Sequence, residues 1–170
     1  MPSMHASEEE IREHVLLDAG VFIDALLRGD PRHHEARLLV ERARRGELVA
    51  CTTAGILSEV YGALTWEMAQ PRHPPAQAAN AVRLLVEPPS ALDVLVENKG
   101  TLLRALKLAA NHNLTARRVH DARHAAAALT AGVREVYTYD VDDWQLFEAD
   151  GLKVVGPDSV LARGKRASER

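Results

Sequence analysis

One cysteine, Cys51, stands in a chain of 170 residues. Neither an internal disulfide nor a cysteine-rich zinc site can form, and a reducing compartment is the natural setting. Aromatic residues are also scarce, at 4%. A single-strand reader built on stacked rings needs exposed aromatics, so that class is disfavoured and Leu, Val and Ala must fill the core. Basic charge is lacking too, with a formal net charge of −3. Proteins that hold nucleic acid by bulk electrostatics are basic. Any contact with a polyanion here requires local basic groups or a bound cation. No apolar run approaches the length of a membrane span. The polar, acidic stretch 1–10 lacks the basic start and apolar segment of a signal peptide. These absences predict a soluble, cytoplasmic protein.

Hydrophobic residues make up 46% of the chain, enough for a normal core. The length fits one domain. The expected organisation is a domain over residues 11–162, with a flexible N-terminal extension at 1–10 and a flexible polar tail at 163–170. No repeat or dividing linker is visible.

Val15-Leu16-Leu17 reads as a buried strand ending at Asp18, followed by a short helix over 21–27. Ala36, Leu39, Val40 and Ala43 share a helical face, and Gly46 closes that helix. Residues 47–52 form a second strand. Thr53 then caps a helix marked by Ile56, Leu57, Val60, Tyr61, Leu64 and Met68. After Pro71, Pro74 and Pro75 a helix runs over 76–86, then a strand over 92–96. Leu102, Leu103, Leu106, Ala109 and Ala110 mark the next helix, with Asn113 as a left-handed cap. Val119, Ala122, Ala126 and Leu129 mark another, and the run Ala125–Ala128 reads as close helix packing. A strand over 135–139, a short helix over 141–147 and an edge strand over 152–155 complete the pattern. Such alternation predicts an α/β fold, with a parallel sheet of four to five strands flanked by helices.

In parallel sheets, ligands bind beyond the carboxyl ends of the strands. Asp18 ends the first strand and Asp140 the fourth. Glu59 and Asp121 sit in the first turns of helices that start at that same edge. Taken singly, Asp18 could simply cap a helix, Glu59 and Asp121 could complement helix dipoles, and Asp140 could serve a turn. Jointly they converge on one crevice. Two unit charges ~5 Å apart cost roughly 3 kcal/mol at an effective dielectric near 20, so four carboxylates call for a counter-ion. Hard oxygen ligands select Mg²⁺ or Mn²⁺ over zinc. These ions can activate water and clamp a phosphate for in-line displacement, and they let an acidic pocket accept a polyanion. A haloacid-type phosphatase needs a second Asp two residues after the first, where this chain has Gly20.

These residues resemble the PIN-domain family and, within it, the VapC-type toxins. The matching stretches are Leu16 to Asp24, Leu57-Ser58-Glu59-Val60, Leu106 to Leu114, Val119-His120-Asp121-Ala122 with the alanines and Leu129 that follow, and Val136 to Asp140. The last runs on through Asp143-Trp144 to Gly151–Pro157. The ordered set covers residues 15–157, and no single motif is specific. The resemblance implies a PIN fold and a Mg²⁺- or Mn²⁺-dependent endoribonuclease. Asp18, Glu59, Asp121 and Asp140 match its acidic positions, Asp143 a secondary one, and Thr138 a supporting hydroxyl. Ser58 matches less closely and could only cap its helix. It further implies a small antitoxin partner and a homodimer. Two alternatives stay open: a PIN nuclease of RNA processing without an antitoxin, and a catalytically silent binding module on the same fold.

Other residues carry weaker signals. Arg117, Arg118 and Arg123, nearest in sequence to Asp121, are the candidates for RNA phosphate contacts. Arg42, Arg44 and Arg45 read as solvated surface. Asp24, six positions after Asp18, is expected on a solvated face, as are Asp142, His33 and His34. His120 and His124 share the i, i+4 spacing of chelating pairs, but no Glu lies between them in the zincin order. His120 is expected beside the crevice.

Overall fold

In the computed structural model, residues 14–160 are described. The expected extension at 1–10 and tail at 163–170 lie outside the described residues. The chain runs β1 (Val15–Leu17), α1 (Ala19–Leu26), α2 (His33–Arg44), β2 (Ala50–Thr53), α3 (Ala54–Thr65), α4 (Pro75–Val86), β3 (Asp93–Leu95), α5 (Lys99–Asn111), α6 (Val119–Thr130), β4 (Glu135–Tyr137), α7 (Val141–Gln145) and β5 (Lys153–Gly156). Single 3₁₀ turns precede α6 and follow α7. Among the described residues no helix is long and apolar enough to cross a membrane.

The five strands form one parallel sheet in the order β3-β2-β1-β4-β5. The chain lays β2 and β3 on one side of β1, then returns to lay β4 and β5 on the other. A crevice opens where the direction of winding reverses, between the carboxyl ends of β1 and β4. β1 is buried throughout, as the central strand of a sheet covered on both faces must be.

Local chemistry sets the boundaries. Gly46 takes a left-handed conformation at φ +73°. The amides of Glu47 and Leu48 then turn back to the Arg42 carbonyl. Those donors are spent on capping α2, so β2 starts at Ala50, three residues later than its composition suggests. Thr53 ends β2 and caps α3, accepting from the Ile56 amide at 3.0 Å. Pro75 occupies the first turn of α4, where its missing N–H costs nothing. Asn113 takes φ +53°, the left-handed cap read from the sequence.

Trp144, Phe22, Phe147, Leu16 and Leu17 fill the centre of the core. Every alanine of the Ala125–Ala128 run is buried, and α6 packs most extensively against α5. The leucines that mark α5 do not face the core, however. Thr101, Ala105, Leu108 and Ala109 do, while Leu102, Leu103 and Leu106 are 53%, 58% and 51% exposed. Burial raises the pKa of the Cys51 thiol to about 12, which leaves it a small inert hydrophobe.

Candidate active site

Asp18 follows β1 directly. Its Oδ1 accepts from the Ala19 amide at 2.8 Å, so it does cap α1. Its Oδ2 accepts from the Thr138 hydroxyl at 2.8 Å and the Trp144 indole Nε1–H at 2.9 Å. Three donors from three segments therefore fix one carboxylate. The Thr138 hydroxyl also accepts from the Asp140 amide at 2.9 Å, which ties the turn after β4 to the end of β1. Thr138 sits at the site in a supporting position, while Trp144 carried no signal in the sequence beyond lying in a familiar stretch.

Glu59 stands in the second turn of α3 and Asp121 in the first turn of α6. Asp18, Glu59, Asp121 and Asp140 all line one cavity of about 410 Å³. Glu59, Asp121 and Asp140 also line a larger neighbouring cavity of about 910 Å³, together with Asp143, Ser58 and His120. The two spaces meet at the acids. Ser58 donates to the Ala54 carbonyl one turn back, at 3.0 Å.

The acids are electrostatically strained. Burial raises the pKa of Asp121 to about 6, with the Asp18 and Asp143 carboxylates adding to the shift. Asp18 is also raised, by burial first, although its hydrogen bonds from Thr138 and Ala19 oppose the change. Asp140 is raised by burial and then by Asp143 and Asp142. Such a set favours protons or a cation. Among the described residues no three His, Cys, Asp or Glu side chains are already drawn together tightly enough to grip an ion. The donor set nonetheless fits Mg²⁺ or Mn²⁺: it is all oxygen, mutually repelling, and gathered around one space.

The three candidate phosphate-binding arginines line the larger cavity. Arg118 pairs with Asp143 at 3.1 Å and Arg123 with Glu97 at 2.6 Å. Arg117 forms no ion pair among the described residues.

Asp24 corrects the sequence reading. It is 8% exposed instead of solvated, and it lines the smaller cavity with the four acids. Arg32 comes back from the turn before α2, reaching within 3.5 Å of the Asp24 carboxylate and lying 4.3 Å above the Tyr139 ring. Burial, reinforced by Asp30, lifts the Asp24 pKa to about 6. His33, also expected in solvent, is half-buried with Nδ1 3.0 Å from the Asp24 carbonyl; His34 and Asp142 are exposed.

His124, weighed in the sequence only as half of a chelating pair with His120, also reaches the site. It is buried beneath the site, with Nε2 2.8 Å from Glu59 and Nδ1 2.9 Å from Thr53. A further signal was its position one turn after Asp121 on the same helical face.

The sequence profile of the PIN domain matches residues 15–149, most of the chain. This chain belongs to the PIN-domain family. Solved structures share the fold at low identity. Mycobacterium tuberculosis VapC20, described as a sarcin-ricin loop cleaving toxin, superposes with a TM-score of 0.61 at 20% identity, covering 84% of this chain and 99% of that one. FitAcB from Neisseria gonorrhoeae gives 0.58 at 15% identity, covering 84% and 97%. VapBC-1 from nontypeable Haemophilus influenzae gives 0.56 at 17% identity, covering 84% and 96%. No curated protein matches the chain in sequence. The PIN fold accounts for the convergence: its central parallel sheet delivers Asp18 and Asp140 from adjacent strands to one edge.

Proposed function

We propose that this PIN-domain protein is a Mg²⁺- or Mn²⁺-dependent endoribonuclease acting as the toxin of a toxin–antitoxin pair. The observation that carries the reading is the acid set. Four carboxylates from four separate parts of the chain line one cavity, and burial, reinforced by neighbouring carboxylates, holds three of them above their ordinary pKa.

Asp18, Glu59, Asp121 and Asp140 would hold the cation, with Asp143 at the rim. A divalent cation bound there supplies an activated water and a clamp on the scissile phosphate. The chain does the rest. Thr138 and Trp144 keep Asp18 aimed, and Arg117, Arg118 and Arg123 line the space through which a phosphodiester backbone would pass. This chemistry needs no 2′-hydroxyl, so the acids alone do not select RNA. Preference for RNA is supported by the VapC-type fold and by the description of VapC20 as a sarcin-ricin loop cleaving toxin. An antitoxin partner is supported by the VapBC complexes among the structural neighbours. A homodimer is the assembly that the resemblance implies.

The test is cleavage of total cellular RNA by the purified chain, with and without Mg²⁺ or Mn²⁺, with cut sites mapped. Discrete cuts should appear only with the metal, and Asp121→Asn should lower their rate at least about 100-fold. Equal cleavage in excess chelator, or by folded Asp121→Asn, would refute the proposal.

A further inference from the structure

We propose that His124 is a positioning residue for this reaction, its Nε2–H holding the Glu59 carboxylate toward the acid cavity. The inference rests on the nuclease reading above and adds to it a residue outside the acid set.

The two ring nitrogens of His124 face different partners. Nδ1 lies 2.9 Å from the Thr53 hydroxyl and Nε2 lies 2.8 Å from Glu59 Oε1. Thr53 is already committed, since its oxygen accepts the Ile56 amide as the cap of α3. Its one hydroxyl proton is then free to go to Nδ1. A carboxylate only accepts, so Nε2 carries the ring proton. Nε2–H therefore faces Glu59, and both ring nitrogens are satisfied at 1% exposure. The relay runs from the Ile56 amide through the Thr53 hydroxyl and the imidazole to the carboxylate.

Glu59 needs such a partner. Its side chain is 44% exposed, and a glutamate on an open helix face is free to sample several rotamers. Asp18 is shorter and held by three donors. A rigid donor rooted in the core does for Glu59 what Thr138 and Trp144 do for Asp18.

Gly55 supplies an independent observation. A Cβ there would come within 2.7 Å of His124 Cε1 and 3.2 Å of Arg123 Nη1. Only glycine in the first turn of α3 lets an imidazole from α6 stand so close. That close approach is what brings Nε2 within reach of Glu59, one turn further along the same helix.

Two amide substitutions separate positioning from packing. In His124→Gln the amide nitrogen falls near the Nε2 position and can still donate to Glu59. In His124→Asn the shorter side chain reaches only toward Thr53. Mn²⁺ affinity would be measured by electron paramagnetic resonance titration, alongside melting temperature. His124→Ala and His124→Asn should weaken Mn²⁺ binding about 10- to 100-fold, and His124→Gln should recover most of that loss. Equal Mn²⁺ affinities for the Gln and Asn variants would overturn the proposal while leaving the nuclease reading intact. Absence of Mn²⁺ binding by the unaltered chain would overturn both. A long-range ¹H–¹⁵N spectrum of the unaltered, metal-free protein reads the tautomer without any substitution. A protonated Nε2 is expected, and a bare Nε2 would overturn the assignment.

Discussion

Asp121 illustrates the conflict that an unneutralised acid site imposes on its own fold. Its pKa is lifted from 3.8 to about 6. Between those values the folded chain keeps a proton that the unfolded chain has released, so rising pH favours unfolding. The contribution is fully present below about pH 4 and is lost as pH rises through 6. Asp24 acts in the same direction over the same window. In urea melts of metal-free protein, the Asp121 share of the decline from pH 4 to pH 7 should be about 1 to 2 kcal/mol once solvent screening is allowed for. Asp121→Asn, which cannot ionise, should flatten that decline. An unchanged slope in the variant would show that Asp121 does not carry the shift. At this scale Asp18, Asp121 and Asp140 were legible because strand ends and first helical turns point to a known edge, while Glu59, expected in a first turn, reaches the same cavity from the second turn of α3. Asp24, His124 and Trp144 were not. Asp24 is enclosed by Arg32 from the next turn, while His124 and Trp144 meet partners 65 and 126 residues away, and neither kind of enclosure leaves a periodic trace.

Helices and strands were easier to read than the faces they bury. Hydrophobic period and caps placed nearly every element, and Thr53 and Asn113 fell where their chemistry required. The α5 leucines show where periodicity stops being informative. Leu102, Leu103 and Leu106 form as regular a stripe as the buried one, yet small residues on the opposite face admit the close approach of α6. The alanines of α6 are buried in turn. Ala126→Leu should therefore overpack the core around α6 and cost about 1 to 3 kcal/mol in urea unfolding. Leu103→Lys should change stability by less than about 0.5 kcal/mol. The reverse order would mean that the α5 leucines, not the alanines, face the core.

Across the whole molecule, a net charge of −3 has to be reconciled with a polyanionic substrate. The account does so by division of labour, with a cation at the acids and a few arginines beside them. Arg118 and Arg123 are partly neutralised by Asp143 and Glu97, so Arg117 should contribute most. The double variant Arg117→Ala, Arg118→Ala should weaken RNA binding and flatten the plot of log affinity against log salt by roughly 1. An unchanged slope would remove these side chains from the RNA path. All of this depends on one property of the strand edge: Asp18, Glu59, Asp121 and Asp140 bind one or more divalent cations together. Anomalous diffraction from Mn²⁺-soaked crystals measures it directly. Mn²⁺ density is expected between those four side chains, with carboxylate oxygens at about 2.1 to 2.2 Å. Saturating Mn²⁺ with no density between them, or density held only elsewhere, would contradict it.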